Sequence, residues 1–214
     1  MARILITSGP TRQFIDPVRY LTNASSGRMG AALAEAALEL GHEVVVVSGP
    51  VEVEYPSGAT VLPVVSTEEM LACACEAFED CDGLIGAAAP CDYRPKHVEV
   101  SKISKTGEPL LLQLEETDDV VATLGAEKGS RWVVGFALET EDHRLRALAK
   151  LERKCCDLMV SNGVEAMHSL ENQVEILNPA GTILGQASGP KSLVAQEILA
   201  VIQQRLIEYP NAVR

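Results

Sequence analysis

The stretch ARILITSG (residues 2–9) is a short apolar run that ends in glycine, which is typical of a buried strand in a parallel sheet. After a long loop, the alanine- and leucine-rich run GRMGAALAEAALEL (27–40) predicts a helix that Gly41 closes. The next apolar run, EVVVVSG (43–49), begins almost at once. This order predicts two parallel strands joined by a helical crossover.

Further segments continue the same alternation of strands and helices. In order, they are a weak strand (59–64), a helix that begins at Thr67, strands at 82–90 and 131–138, a charged helix over 141–155, a strand at 157–162 and a final helix over 191–207. We therefore predict an α/β fold with a doubly wound, Rossmann-like parallel sheet, in a single domain over 1–214.

Two regions depart from this rhythm. Residues 91–116 combine a polar, lysine-bearing loop with the alternating segment PLLLQLEE (109–116), which predicts an irregular flap that ends in a strand. Residues 173–186 predict a β-hairpin that turns over 178–181.

The composition excludes several classes of protein. The chain has 214 residues, of which 47% are hydrophobic, and this composition predicts a globular protein. Its net charge of −12 argues against the basic surface that nucleic acids require. No long apolar run predicts a membrane span, and the first residues resemble a strand rather than a signal peptide. Six cysteines without an export signal predict reduced thiols in the cytoplasm, and their spacing matches no metal site.

A polar, glycine-bearing segment, LTNASSGRMG (21–30), precedes the first helix. Ser25, Ser26 and Gly27 bring hydroxyl and N–H groups to a helix start, which favours phosphate binding. The simpler alternative is that Ser25 or Ser26 only caps the helix, and this leaves Asn23 without a role.

A dinucleotide site is disfavoured, and with it an NAD(P)-dependent reductase. The turn from Gly9 to Ser25 is about 17 residues long, whereas the dinucleotide fingerprint is a tight G-x-G-x-x-G. The second strand ends in residues 48–50, SGP, and lacks the acidic residue that would bind the ribose.

Two further segments, GAAAPCDYRP (86–95) and GFALET (135–140), come at the predicted carboxyl ends of parallel strands, where open α/β sheets bind ligands. The small residues at 87–89 would let a ligand approach the main chain closely. Asp92 suits a ribose hydroxyl or a base amine, although an Asx turn before Tyr93 is an alternative.

Four lysines form two groups, Lys102 with Lys105 on a loop and Lys150 with Lys154 one helical turn apart. Like charges at this helical spacing repel mildly, and a triphosphate between the two groups would turn that repulsion into attraction. The alternative is an ordinary solvated basic face.

Together these segments resemble the phosphopantothenoylcysteine synthetases of coenzyme A biosynthesis, in their nucleotide-dependent bacterial form. The resemblance runs from Arg3 to about Gln204. Its motifs are ITSGPTRQFIDPVRYLTNASSGRMG (6–30), VVSGPV (46–51), GAAAPCDYRP, SKISK (101–105), GFALET and the K-x-x-x-K pair before DLMVSN. In many bacteria this domain follows a flavin-dependent decarboxylase. Since no such half precedes Met1, the sequence resembles a stand-alone synthetase or an excised domain.

The resemblance implies a ligase that joins phosphopantothenate to L-cysteine. It implies CTP, less often ATP, as the cosubstrate, an acyl-nucleotidyl intermediate, release of CMP and pyrophosphate, and Mg²⁺ held mainly by the triphosphate. Asn23 would serve the second half-reaction, Lys102 would act from a mobile flap, and Asn23, Ala88 and Ala89 would contact the substrate. The nucleotide would be bound by Ser25, Ser26, Gly27, Gly86, Ala87, Ala88, Asp92, Lys102, Lys105, Asp118, Asp119, Val120, Val121, Phe136, Lys150 and Lys154.

The resemblance also implies a homodimer, for which 109–116 and 173–186 are the candidate interface segments. A separate phosphopantothenoylcysteine decarboxylase is the expected partner, and the alternative function is a non-catalytic nucleotide- or flavin-binding partner of such a decarboxylase. Three departures from the family pattern bear on base preference and flap closure. They are Ser104 in the lysine loop, Thr117-Asp118-Asp119 where N-P-D is common, and Ala89-Pro90-Cys91 before Asp92.

Overall fold

The computed structural model describes residues 1–138, 143–162 and 172–209. The strands are β1 (Arg3–Ser8), β2 (Arg12–Phe14), β3 (Tyr20–Thr22), β4 (Glu43–Ser48), β5 (Thr60–Pro63), β6 (Gly83–Gly86), β7 (Tyr93–Pro95), β8 (Leu114–Glu116), β9 (Trp132–Leu138), β10 (Leu158–Asn162), β11 (Asn172–Leu177) and β12 (Ile183–Gly189). The helices are α1 (Arg28–Glu39), α2 (Thr67–Phe78), α3 (Val120–Ala126), α4 (His143–Arg153) and α5 (Lys191–Ile202).

The main sheet has the strand order β5-β4-β1-β6-β9-β10-β11-β12. Neighbouring strands from β5 to β10 are parallel, whereas β11 and β12 pair antiparallel. The predicted doubly wound, Rossmann-like sheet is therefore confirmed. Because the chain passes from β1 to β4 on one side and later returns to β6 on the other, the topological switch point lies at the carboxyl ends of β1 and β6.

The helices cover both faces of this sheet. On one face, α1 and α5 pack against strand residues such as Ile4 and Ile6, while α2, α3 and α4 cover the opposite face, to which Leu5 points. The alternation along β1 follows from the two-residue period of a strand, and burial on both faces explains why its sequence is almost continuously apolar. None of the described helices is long and apolar enough to span a membrane.

The ends of the elements differ from the sequence predictions in three places. The strand predicted at 82–90 is a strand only over Gly83–Gly86. Only Leu114–Glu116 of the predicted strand 109–116 is a strand, because its partner β7 offers just three residues for pairing. The final helix ends at Ile202 and continues as a π-helical segment, Gln203–Glu208. The predicted hairpin over 173–186 is present as β11 and β12, and the Asn178 side chain accepts a hydrogen bond from the Thr182 N–H in its turn.

Three elements were missed by the sequence analysis. The long loop after β1 contains the small hairpin β2–β3, and the segment at 120–126 forms the short helix α3. The strands of this hairpin and the helix α3 are too short for a periodic pattern to be recognised. Each contributes residues to the site described below. The third is β7, which pairs with β8 at the base of the flap.

Candidate active site

A cleft opens at the carboxyl ends of β1, β6 and β9, at the switch point of the sheet. It is lined by Thr7, Gly86, Ala88, Pro90, Cys91, Asp92, Thr117, Asp118, Asp119, Val120, Val121, Phe136 and Lys154. Most of the residues predicted to bind the nucleotide belong to this set. We call it the strand-end cleft. Residues 139 and 140 of the GFALET motif lie outside the described residues.

The segment after β6 forms one wall of this cleft and remains bonded to the first strand. The Ala87 N–H donates to the Thr7 carbonyl (3.1 Å), and the Ala89 N–H donates to the Gly9 carbonyl (2.9 Å). Ala88 lies between these two anchored residues and faces the cleft. The small side chains predicted at 87–89 therefore lie where a ligand can reach the main chain.

Three threonines fix the main chain of Cys91 in the cleft wall. The Cys91 N–H donates to Thr11 Oγ1 (2.8 Å), and the Cys91 carbonyl accepts from Thr117 Oγ1 (2.6 Å) and Thr67 Oγ1 (3.2 Å). Thr117, one of the departures from the family pattern, thus has a structural role in this chain. The Cys91 thiol itself is buried and contacts the carbonyls of Thr11 and Leu21, and its burial raises the pKa of the thiol.

Lys154 is the cation that lines the strand-end cleft, and the first helical turn of α3 holds it there. Its Nζ lies 3.0 Å from Asp119 Oδ2, while Asp119 Oδ1 caps α3 by accepting from the Ala122 N–H. At the other end of α3, Gly125 packs against the Lys154 main chain so closely that any side chain would collide with the Lys154 carbonyl. Lys150 lies one turn earlier on α4, outside the set of lining residues.

Asn23 lies at the rim of the strand-end cleft. Its Nδ2 donates to the Pro90 carbonyl (2.8 Å) and, more weakly, to the Ala89 carbonyl (3.3 Å). The side chain is exposed, and its amide also carries an acceptor oxygen that a ligand can use. The structure therefore brings Asn23 next to the wall that contains Ala88 and Ala89, the residues predicted with it to contact the substrate.

Ser25 and Ser26 line a second, separate cleft at the start of α1. The other lining residues are Arg12, Arg28, Pro50, Val51, Glu52 and Val53. The sequence analysis missed the two arginines, whose charges give this cleft positive groups beside the serine hydroxyls.

The alternative in which Ser25 or Ser26 caps α1 is wrong. The capping residue is Gly27, in a left-handed conformation (φ 73°), and the helix start has no side-chain capping bond. Glycine is required here, since a Cβ would lie only 2.8 Å from Val51 Cγ1. The N–H groups at the start of α1 are thus not satisfied by a capping side chain.

Lys102 and Lys105 are exposed on the long segment between β7 and β8, and they belong to neither cleft. The base of this flap is anchored by Arg94, which forms ion pairs with Glu68 of α2 and Glu115 of β8 at 2.8 and 2.9 Å. Its middle is anchored at Ile103, whose N–H donates to the Asp16 carboxylate at 3.1 Å. No periodic pattern predicted either contact, because each joins segments that come together only in the folded chain.

Comparisons with known proteins show what the chain is similar to. A family model described as the DNA/pantothenate metabolism flavoprotein C-terminal domain matches residues 1–206. The chain is 40% identical over 207 residues to the coenzyme A biosynthesis bifunctional protein CoaBC of Vibrio vulnificus strain YJ016, which covers 94% of this chain and 51% of that protein. It is 43% identical over 164 residues to the protein of the same name from Bacillus subtilis strain 168. This match covers 76% of the present chain and 40% of that protein.

Among solved structures, the crystal structure of the C-terminal domain of a coenzyme A biosynthesis bifunctional protein CoaBC superposes with a TM-score of 0.80. It is 39% identical in sequence, and the match covers 95% of each chain. The chain spans about half the length, or less, of the curated relatives it matches.

Proposed function

The chain belongs to the family of DNA/pantothenate metabolism flavoprotein C-terminal domains, and from this premise we propose that it joins phosphopantothenate to L-cysteine. In the proposed reaction, CTP activates the carboxylate of phosphopantothenate as an acyl-cytidylate and pyrophosphate leaves. The amine of L-cysteine then displaces CMP and forms the amide bond. The observation that carries this proposal is the strand-end cleft, with Asn23 hydrogen bonded to its rim.

The strand-end cleft has the groups that a nucleotide needs. The half-buried ring of Phe136 offers an apolar surface for a base, and main-chain groups at 86–89 can read its polar edge. Lys154 supplies a positive charge for a phosphate, which would replace its present partner Asp119. Asp92 lies at the same edge and can accept hydrogen bonds from ribose hydroxyls.

The first half-reaction brings two anions together. A carboxylate oxygen of phosphopantothenate attacks the α-phosphorus of CTP, and the bond to pyrophosphate breaks. Lys154 from the cleft and Lys102 from the flap would neutralise the charge of the triphosphate. Mg²⁺ supplies further charge neutralisation when bound with the nucleotide. Phosphate oxygens are its usual ligands, and the carboxylate of Asp118, which lines the cleft, could contribute one more.

The second half-reaction forms the amide bond. The amine of L-cysteine attacks the activated carbonyl carbon, the bond to the CMP oxygen breaks, and the amine loses a proton. Asn23 suits this step because its neutral amide can hold the acyl group without competing as a nucleophile. Its hydrogen bonds to the carbonyls of Ala89 and Pro90 orient the amide beforehand.

The proposal is tested by incubating the chain with phosphopantothenate, L-cysteine and Mg²⁺ in the presence of either CTP or ATP. We expect pyrophosphate and phosphopantothenoylcysteine to form in equal amounts, and faster with CTP. Comparable rates with ATP would contradict the CTP preference alone. Absence of pyrophosphate with both nucleotides would contradict the ligase and favour a non-catalytic nucleotide- or flavin-binding partner of a decarboxylase.

We also propose that the chain acts as a homodimer through the flap. Leu111 and Val100 are 90% and 93% exposed, and Leu110, Leu112 and Leu114 are also exposed. An exposed apolar run such as residues 110–112 is typical of a surface that a second copy covers. The hairpin β11–β12 remains a predicted second contact, with β12 at the outer edge of the sheet.

A further inference from the structure

The loop between β2 and β3 contains a buried carboxylate that the proposed reaction does not use. The Asp16 side chain has no exposed surface. Its Oδ1 accepts from the N–H groups of Val18 and Arg19, both at 2.8 Å, and so closes its own turn. Its Oδ2 accepts from Arg19 Nη1 at 2.9 Å and from the Ile103 N–H at 3.1 Å.

The two carboxylate oxygens therefore have different roles. Oδ1 makes a local turn that an asparagine could make equally well. Oδ2 makes the contact to the flap, 87 residues away in sequence. Arg19 completes this contact, because its Nη2 donates to the Ile103 carbonyl at 3.1 Å. Both main-chain polar groups of Ile103 are thus bonded to the Asp16–Arg19 pair.

A neighbouring contact supports this attachment. The Glu99 N–H donates to the Ile15 carbonyl at 3.0 Å, so the flap is bonded to the loop at two points. Lys102 lies between these points and directly precedes Ile103. Fixing both main-chain groups of Ile103 therefore also fixes where the Lys102 side chain begins.

The charge of Asp16 is stabilised by these contacts. Burial by itself would raise the pKa of the carboxyl, but the hydrogen bonds from Val18, Ile103 and Arg19, together with the Arg19 charge, hold the pKa below its usual value. Because the carboxylate is charged and buried, losing one of its partners costs more than losing an exposed contact.

The same loop leads directly to the other residue predicted to act in catalysis. From Arg19 the chain passes through β3 and reaches Asn23, whose amide is bonded to the cleft wall. We propose that Asp16 is a positioning residue that joins the Asn23 loop to the flap and, through Ile103, sets the position of Lys102. The geometric part of this inference stands on the contacts alone, and its kinetic part rests on the proposed ligase function.

The test is Asp16→Asn, with Asp82→Asn as the matched control. Asparagine keeps the Oδ1 turn but places an NH₂ group against the donors of Ile103 and Arg19, so that only the contact to the flap is lost. Asp82 also accepts a main-chain hydrogen bond, from the Arg3 N–H at 2.7 Å, but it lies before β6 at the opposite end of the sheet.

In limited trypsin digestion without substrates, we expect cleavage after Lys102 and Lys105 to be about tenfold faster in Asp16→Asn, with the control at the wild-type rate. In the pyrophosphate assay we expect kcat to fall about tenfold while the KM for L-cysteine is unchanged, since the lost contact positions a group for the first half-reaction.

Ile103→Pro removes the donor from the exposed side of the contact and keeps the test decisive if Asp16→Asn does not fold. It should expose Lys105 to trypsin to the same extent. Unchanged cleavage in both variants would overturn the attachment, and faster cleavage with unchanged pyrophosphate release would overturn the positioning role. A wild-type chain that releases no pyrophosphate would instead contradict the proposed function, while the digestion still decides the attachment.

Discussion

The strand-end cleft and the flap each carry a lysine, but the two lysines are held in place in very different ways. In the cleft, Lys154 follows a helix, pairs with Asp119 and packs against Gly125. On the flap, Lys102 is exposed on a segment without regular structure, which is anchored at its base by Arg94 and at its middle by Asp16. Lys154 is thus fixed in the absence of a ligand. Lys102 lies on a flap that only a few contacts hold in place.

In the proposed reaction, the cleft and the flap would have different roles. A rigid cleft would lower the entropic cost of binding the nucleotide, because its groups are already in position. A flap held by few contacts would admit the two substrates and then bring its charge to the triphosphate. Substitutions in the flap and in the cleft test this contrast, and their expected effects differ in size.

The largest effect should follow from Lys102→Gln, which removes the charge of the flap. We expect turnover to fall by a factor on the order of a thousand, since a cation that neutralises the charge of a transferring phosphoryl group contributes about that much. The melting temperature should not change, because the side chain is exposed.

The matched control is Lys96→Gln, an exposed lysine on the same flap. It should keep wild-type kinetics. Equal losses in both variants would mean that the flap acts through its overall charge rather than through Lys102.

The next largest effect is expected for Asn23→Asp, which changes the rim of the cleft. The carboxylate cannot donate to the Pro90 carbonyl and would repel an anionic intermediate. We expect product formation to fall about a hundredfold while pyrophosphate release from CTP and phosphopantothenate continues. Quenched-flow measurement of both products separates the two steps, and a parallel loss of pyrophosphate would remove Asn23 from the second half-reaction.

A smaller effect should follow from Gly125→Ala, which tests how rigid the cleft must be. The added methyl would collide with the Lys154 carbonyl, so α3 or the Lys154 turn must shift. We expect unfolding free energy to fall by about 1–3 kcal/mol and the KM for CTP to rise severalfold.

Gly58→Ala is the control for that change, because its added methyl would meet only the flexible end of Leu38, at 3.2 Å. Urea denaturation and steady-state kinetics measure the two quantities. If Gly125→Ala lowers stability without changing the KM for CTP, the position of Lys154 does not limit nucleotide binding.

The smallest effect on the single chain is expected for Leu111→Ser, which tests whether the flap is also a contact surface. We expect the dimer dissociation constant to rise about tenfold, with no loss of monomer stability, since the side chain is 90% exposed. Analytical ultracentrifugation measures this, with Leu193→Ser on α5, 45% exposed, as the control. A chain that sediments as a monomer in both variants and in the wild type would contradict the proposed dimer.

The sequence predicted the sheet well because each parallel strand is a short apolar run followed by a helical pattern. The prediction of a strand over 109–116 was wrong for most of its length. Its leucines resemble the pattern of a half-buried strand whether or not a partner strand covers them. Only three residues of that segment found a partner in β7.

Part of the strand-end cleft was predicted from short segments at the ends of strands, which contain Gly86, Ala88, Asp92 and Phe136. The segment 118–121, at the start of α3, was expected only from the family resemblance. The attachment of Asp16 to Ile103 and the threonines around Cys91 were not predicted, because each joins loops that come together only in the folded chain. A signal was present in the sequence all the same. A charged or hydroxyl residue that fits no helical or strand period, such as Asp16 or Thr117, often has a specific hydrogen-bond partner.

The buried thiol of Cys91 has a consequence for a chain whose proposed substrate is itself a thiol. Only a thiolate attacks a disulfide, and burial raises the pKa of the Cys91 thiol, which disfavours its thiolate form. The cleft wall can therefore face free cysteine, and the cystine that forms from it in air, without being captured as a mixed disulfide.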